Sequence, residues 1–242
     1  MDELTVAPLA RLHPDLPGRR ILLDAPGRRN ALGPAAVDRL LELVAGEPED
    51  LVVLGSSTPG IFSAGADLTL DDATRARLSD RLYELYDALL RRPGPVVAVV
   101  EGPAVGGGAQ LTTAADLRVA SPAARWRWAG PGHGLAVGAW IVPDLLGRGR
   151  GLDLTMTGRW LPAEEALAAG FVTAVTDDPW QAALDLAGRL ARADRSALAR
   201  VKQIATSEGL LGRLAEERRR NRESWNGAAP GPREAAAEHR GS

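Results

Sequence analysis

Apolar positions along this chain follow two rhythms. Val96–Val100 is an unbroken β-branched run, and residues 51–54 (Leu-Val-Val-Leu) form a shorter one. Uninterrupted apolar runs of this length read as strands buried on both faces of a sheet. Residues 20–23 read as another strand. Elsewhere the spacing is helical: Val37, Leu40, Leu41 and Val44 define an apolar stripe over 34–44, and a second helix runs over 75–90, ending ahead of Pro93. Three more helices are predicted over 179–191, 196–206 and 210–225, the first opening on Pro179. From Gly227 onward, Gly-Ala-Ala-Pro-Gly-Pro reads as a loop.

The punctuation after the strands is more informative than the strands themselves. Glu101-Gly102-Pro103 is turn chemistry, and Gly106-Gly107-Gly108 strips every Cβ from the backbone where an amphipathic run over 109–115 begins. Alone, such a triplet signals close backbone packing. A second loop of small residues, Gly60-Ile61-Phe62-Ser63-Ala64-Gly65-Ala66-Asp67-Leu68, follows the strand at 51–54. Two such loops at the ends of neighbouring strands can aim two amide N–H groups at one carbonyl oxygen, which is an oxyanion hole.

Composition narrows the setting. The 242 residues carry 29 Lys+Arg against 31 Asp+Glu, a formal charge of −2, so nothing points to nucleic acid or an anionic membrane as partner. The Arg218-Arg219-Arg220 run reads as a solvated helix face paired with Glu216, Glu217 and Glu223. There is no cysteine, which excludes disulfides, thiolate catalysis and cysteine-bound zinc. No stretch of about 18 uninterrupted apolar residues is present, and the acidic start with Asp2 and Glu3 lacks an apolar signal core, so a cytoplasmic protein is expected.

The ordered motifs resemble those of the crotonase (enoyl-CoA hydratase/isomerase) superfamily. Phe62 to Leu68, then Gly102-Pro103-Ala104-Val105-Gly106-Gly107-Gly108, then Ala115-Asp116-Leu117-Arg118-Val119-Ala120 stand at its spacing, with Arg29-Asn30-Ala31-Leu32 matching its Asn-Ala-Leu signature. Leu145-Leu146-Gly147, Thr157-Gly158-Arg159, Ala163-Glu164-Glu165-Ala166 and Gly170-Phe171-Val172 follow in order. The resemblance implies an α/β fold: a spiral of ββα units, two sheets wrapped by helices, with a core over residues 1–193 and a helical oligomerisation arm and tail over 194–242. It further implies homotrimers or dimers of trimers, with Leu210, Leu211 and Leu214 of the arm packed on neighbouring subunits. The implied ligand is an acyl-CoA thioester, with no separate cofactor or metal, its carbonyl held by the amides of Ala66 and Gly107. By the same resemblance Arg29, Ala31, Ala64, Asp67, Leu68 and, from the arm, Lys202 belong to the CoA site.

Two departures from the pattern bear on chemistry. The family's hydratases use a pair of glutamates to activate water and protonate the α-carbon; here those positions hold Gln110 and Gly132. An amide exchanges no proton near neutral pH, so hydration by that route is expected to be weak or lost. His133, next to Gly132, is a candidate replacement acid/base, with a solvent-facing loop residue as the plainer alternative. Asp144 reads as a surface helix residue, and Asp67 as one that shapes its loop.

Tryptophan is concentrated in the same region. Arg125-Trp126-Arg127-Trp128 alternates, placing both rings on one face of a strand. Trp126 reads as core filler, whereas Trp128, Leu135 and Trp140 are candidates for the wall of an acyl pocket. The short loop Gly134-Leu135-Ala136 with Gln110 and Trp140 resembles an actinobacterial branch of the superfamily that binds acyl-CoA with little or no hydratase activity and serves lipid synthesis. That resemblance implies other fatty acid synthesis enzymes as partners. The alternative is an active hydratase, isomerase or other enolate-forming enzyme with relocated acid/base groups.

Overall fold

Successive side chains of the strand Val96–Val100 enter two different cores. Val96, Ala98 and Val100 join one apolar cluster, and Val97 and Val99 join another on the opposite face. The period-2 alternation of a strand thus explains why the run has no polar member: both faces are covered.

The computed structural model describes residues 3–225. In chain order the elements are β1 (Leu4–Pro8), β2 (Arg19–Leu23), β3 (Ala31–Leu32), α1 (Pro34–Ala45), β4 (Val52–Ser56), β5 (Gly65–Ala66), α2 (Asp72–Arg91), β6 (Val96–Val100), β7 (Pro103–Val105), α3 (Gly107–Thr113), β8 (Leu117–Ala120) and β9 (Arg125–Arg127). Then come α4 (Val142–Leu146), α5 (Arg148–Thr157), β10 (Leu161–Pro162), α6 (Ala163–Ala168), β11 (Ala174–Val175), α7 (Pro179–Ala191), α8 (Arg195–Ala205) and α9 (Glu208–Ser224). The loop predicted from Gly227 onward lies outside the described residues.

A six-stranded sheet runs in the order β1-β2-β4-β6-β8-β11, parallel except for the antiparallel β1–β2 hairpin. Side sheets β10-β9-β7 and β3-β5 complete an α/β fold, the class that the resemblance implied. One face of the main sheet packs against α1 and α2, while Ala183, Leu186 and Ala187 of α7 cover the other.

Several elements differ from the sequence expectation, each for a local reason. Helix α2 begins three residues early because Asp71 caps it, its carboxylate accepting the Thr74 N–H at 2.9 Å. Helix α3 is not amphipathic: residues 108–113 are all buried, because β-strands and α2 surround it. Trp128 falls just beyond β9, yet is as buried as Trp126.

The C-terminal arm is the main correction. Helix α9 folds back along α2 of its own chain, and Leu210 and Leu214 are buried in the principal core, with Leu211 packed against it. Arg218 reaches Asp80 (3.1 Å) and Glu84 (2.8 Å), and Arg222 reaches Asp80 (2.7 Å), which fixes the alignment. Within the described part of the arm, the large apolar residues left exposed are on α8, where Val201 and Ile204 are 66% and 80% exposed.

Candidate active site

The loop that follows β2 is held by Asn30. It and Arg29 both have left-handed backbones (φ 53°), which Asn tolerates better than most residues. Its Nδ2 donates to Ser56 Oγ (2.7 Å) and to the Phe62 carbonyl (3.0 Å), while its Oδ1 accepts from Ala25 N–H (2.8 Å) and Thr58 Oγ1 (3.0 Å). Ser63 Oγ donates to the Asn30 carbonyl (2.7 Å) and accepts the Gly65 N–H (3.1 Å). The Asn-Ala-Leu segment is thereby tied to the Ser63–Asp67 loop, and β3 pairs with β5 in the register Ala31–Gly65, Leu32–Ala66.

The glycine triplet approaches the same loop. Gly65 has φ +91°, and a Cβ there would lie 2.6 Å from the Val105 carbonyl oxygen and 3.4 Å from the Gly107 nitrogen. A Cβ on Gly107 would stand 3.5 Å from the Ala66 nitrogen. Gly107 opens α3, so its N–H has no acceptor within the helix. The two amides singled out in the sequence are therefore adjacent, at the wall of one cavity of about 130 Å3.

That cavity is lined by Ala64, Ala66, Asp67 and Leu68 from the first loop and by Gly107 and Gln110 from α3. Leu78, Leu82, Tyr83 and Tyr86 of α2, together with Leu135 and Val137, give it an apolar side, and His133, Arg75, Asn221 and Trp225 complete it. Asp67 accepts from Thr69 N–H (2.9 Å) and Oγ1 (2.6 Å) and from Arg28 Nη1 (2.9 Å). The Thr69 hydroxyl foremost, then Arg28, holds its carboxyl below the usual range, so Asp67 is a loop-shaping anion.

Gln110 is locked. Its Oε1 accepts the Trp140 indole N–H at 2.7 Å and the Gly138 N–H at 3.1 Å. Both partners are obligate donors, so the amide orientation is settled and only the Nε2 hydrogens remain for other partners. Trp140 is thus not a pocket wall as expected, but stands one layer back, stacked on Tyr86 (6.4 Å) and holding Gln110. Trp128 is likewise displaced from the wall into the core, edge-on to Phe171 at 5.8 Å. Leu135 does line the cavity.

Other expected residues lie elsewhere. Lys202 Nζ is bound to Asp116 Oδ2 (2.8 Å) and the Gly94 carbonyl (3.3 Å), away from the cavity. Arg29 is exposed and only its backbone is engaged among the described residues, the N–H donating to the Pro26 carbonyl and the carbonyl accepting from Ala64 N–H, both at 3.0 Å. Gly132 sits in the turn Pro131–His133 with open space around it, beside the cavity-lining His133. Burial and then the charges of Arg75 and Arg127 push the His133 imidazole below its ordinary range, so it is neutral at pH 7, and its Nδ1 has no partner among the described residues. Asp144 is exposed and ion-paired with Arg213.

Sequence reasoning missed Glu217. Placed by its charge on the solvated face, it is 5% exposed instead. Its Oε1 accepts from the Tyr83 hydroxyl (2.7 Å) and Gly138 N–H (3.0 Å), and its Oε2 from Trp140 N–H (3.0 Å). Burial pushes its carboxyl up, with these donors pulling against it. The signal was in the helical phase: 210, 214, 217 and 221 share one face, so Glu217 and Asn221 continue the Leu210/Leu214 stripe inward.

Comparison with known proteins agrees with this geometry. Residues 19–225 match the family model for enoyl-CoA hydratase/isomerase. The chain belongs to that family. It is 34% identical over 202 residues to a probable enoyl-CoA hydratase, echA6, of Mycobacterium tuberculosis, covering 79% of each chain. It is 36% identical over 170 residues to the human mitochondrial enoyl-CoA hydratase domain-containing protein 2, covering 66% of this chain and 58% of that one. A crystal structure of an enoyl-CoA hydratase from Mycobacterium avium subsp. paratuberculosis superposes with a TM-score of 0.78 at 27% identity, over 93% of this chain and 89% of the other. A monofunctional enoyl-CoA isomerase from M. smegmatis gives 0.71 at 26% identity, over 89% and 99%. No helix among the described residues is long and apolar enough to cross a membrane.

Proposed function

We propose that this family member binds acyl-CoA thioesters of fatty acid metabolism and hydrates enoyl thioesters poorly or not at all. The observation that carries the reading is the state of Gln110, a neutral amide locked by Trp140 and Gly138 at the position where a hydratase needs a titrating carboxylate. Gly132 supplies no side chain at the second position. What is left is a pair of adjacent amides, Ala66 and Gly107, at an apolar cavity. Preorganised N–H donors in such a setting stabilise the partial negative charge of a thioester oxygen. The CoA moiety is itself the ligand, and a cytoplasmic homotrimer or dimer of trimers, feeding other lipid-synthesis enzymes as in the actinobacterial branch, is the assembly we favour.

Calorimetric titration with a saturated acyl-CoA, beside a steady-state assay with crotonoyl-CoA, tests this. Binding in the micromolar range is expected, with hydration at least about a thousandfold below that of an enzyme retaining both glutamates, since each such group contributes about 10²–10⁴. A second reading is favoured by one observation: His133 lines the cavity, its imidazole pushed below its ordinary range and its Nδ1 without a partner among the described residues. On that reading the protein is an active hydratase with a relocated base. Robust hydration, abolished by His133→Ala, would establish it in place of the first.

A further inference from the structure

The buried face of α9 carries two polar residues that packing does not call for. Leu210 and Leu214 are followed on the same face by Glu217 and Asn221, and all four are buried. Taking a carboxylate out of water without a cationic partner is costly, so its presence there calls for a reason. The charged neighbours on α9 do not supply one: Glu216 pairs with Arg219 and Arg220, and Arg218 turns to Asp80 and Glu84. Part of the reason is structural, since Glu217 accepts the Gly138 and Trp140 N–H groups and Asn221 brackets the backbone of Ala136. The rest is the Tyr83 hydroxyl, which donates to Glu217 at 2.7 Å and accepts from Asn221 Nδ2 at 2.8 Å. Tyr83 and Asn221 line the same cavity as Ala66, Gly107 and Gln110.

The placement relative to Gln110 matters most. Glu217 Oε1 and Gln110 Oε1 accept the same Gly138 N–H, at 3.0 and 3.1 Å. A carboxylate missing from α3 is therefore present beside it, supplied by the C-terminal helix.

We propose that Tyr83, backed by Glu217, is the proton-transfer group of this site, removing and returning the α-proton of a thioester held at Ala66 and Gly107. The inference rests on the thioester-binding reading above. In the forward step the α-carbon to hydrogen bond breaks and that proton goes to the Tyr83 oxygen. The phenolic proton passes to Glu217 Oε1, and the electron pair left on carbon becomes the enolate, its oxygen facing the two amides. The reverse step restores the thioester. Burial and the neighbouring Glu217 push the Tyr83 hydroxyl well above its ordinary range, which suits a neutral relay and not a free phenolate. One such group exchanges a proton on one carbon; it does not also activate a water for the β-carbon, so enolisation without hydration is the expected chemistry.

The test is deuterium incorporation at the α-carbon of hexanoyl-CoA in D2O, followed by mass spectrometry on the full chain, with affinity measured in parallel by calorimetry. The intact protein is expected to exchange the α-proton faster than buffer. Tyr83→Phe and Glu217→Gln are expected to slow that exchange at least about tenfold more than they weaken binding, the low end of what a positioned acid/base group supplies. Phenylalanine keeps the ring edge-on to Tyr86 at 5.7 Å, so Tyr83→Phe carries the test if the Glu217 variant does not fold. Binding without exchange above buffer, or unchanged exchange in Tyr83→Phe, overturns the relay and leaves the binding reading standing. Absence of binding overturns both.

Discussion

Gln110 and Glu217 share one donor: the Gly138 N–H points to Oε1 of each, at 3.1 and 3.0 Å. Glu217 is held by three donors, the Tyr83 hydroxyl and the Gly138 and Trp140 N–H groups, and a neutral amide at 110 spares it a second charge. Two carboxylates on the same N–H would repel, and one would be forced to hold a proton.

Gln110→Glu is therefore expected to lower stability by about 1–3 kcal/mol at neutral pH, and the loss to shrink when Glu217→Gln is added, giving a coupling energy of the size seen for residues in one network. Urea titrations of the two single variants and the double variant measure it. Additive effects would mean that the two side chains do not interact. The same argument bears on restoring hydration. A Cβ at Gly132 meets nothing within 4 Å, but Gln110→Glu/Gly132→Glu is expected to stay inactive unless Glu217 is neutralised as well.

Stability should also depend on pH through Glu217. Burial raises its folded-state pKa above the ordinary 4.5, so between 4.5 and that higher value the folded chain binds more protons than the unfolded one. Stability from this group thus falls as pH rises across the window, and the penalty is complete above it. The melting temperature of the native protein is expected to decline relative to that of Glu217→Gln as pH rises from 4.5. A difference between the two that stays level with pH would show that Glu217 titrates normally.

The relation between Gln110 and Glu217 also shows where sequence reading ends. The backbone of the site was legible, because Gly65, Gly107 and Asn30 are constrained by steric demands that only particular residues meet. Val96–Val100 and Pro179–Ala191 were legible to the residue, since an apolar run and a proline at a helix start are local signals. Trp128, Trp140 and Glu217 were not. Their placement depends on which way an indole turns and on α9 folding back along its own chain, both decided by contacts between residues 30 or more apart, such as Trp140 with Gln110 and with Glu217. Small strands of two or three residues, β3, β5 and β10 among them, were illegible for the same reason: their partners, not their propensities, make them strands.

Gly65→Ala is expected to damage the amide cradle. A methyl group would meet the Val105 carbonyl at 2.6 Å in a backbone with φ +91°. The backbone alone costs about 1–3 kcal/mol. Because Gly65 precedes Ala66, relief of the clash shifts the donor, and thioester affinity should fall at least about tenfold, or about 1.4 kcal/mol. Gly60→Ala is the comparison, since Gly60 also has positive φ (+71°) but nothing within 4 Å of a Cβ. Calorimetry should show the affinity loss for the first variant only; equal losses would detach Gly65 from the site.

Trp140→Phe removes the shorter of the two bonds that hold the Gln110 carbonyl. The lost N–H leaves a buried acceptor with one donor, shared with Glu217, and the smaller ring leaves space beside Tyr86. Together these are expected to cost about 2–4 kcal/mol, a hydrogen-bond loss plus a cavity contribution. Trp180→Phe is the informative partner experiment. Trp180 also donates its indole N–H to a side chain, Glu101 Oε2 at 2.9 Å, but at a half-buried site where water can replace the donor. Its cost should stay near 1 kcal/mol. If the two variants unfold at the same denaturant concentration, Trp140 is ordinary core and Gln110 is held by Gly138 alone. If Trp140→Phe is the weaker one and also gains affinity for acyl-CoA, the indole is a lock that keeps the Gln110 amide from turning toward the thioester.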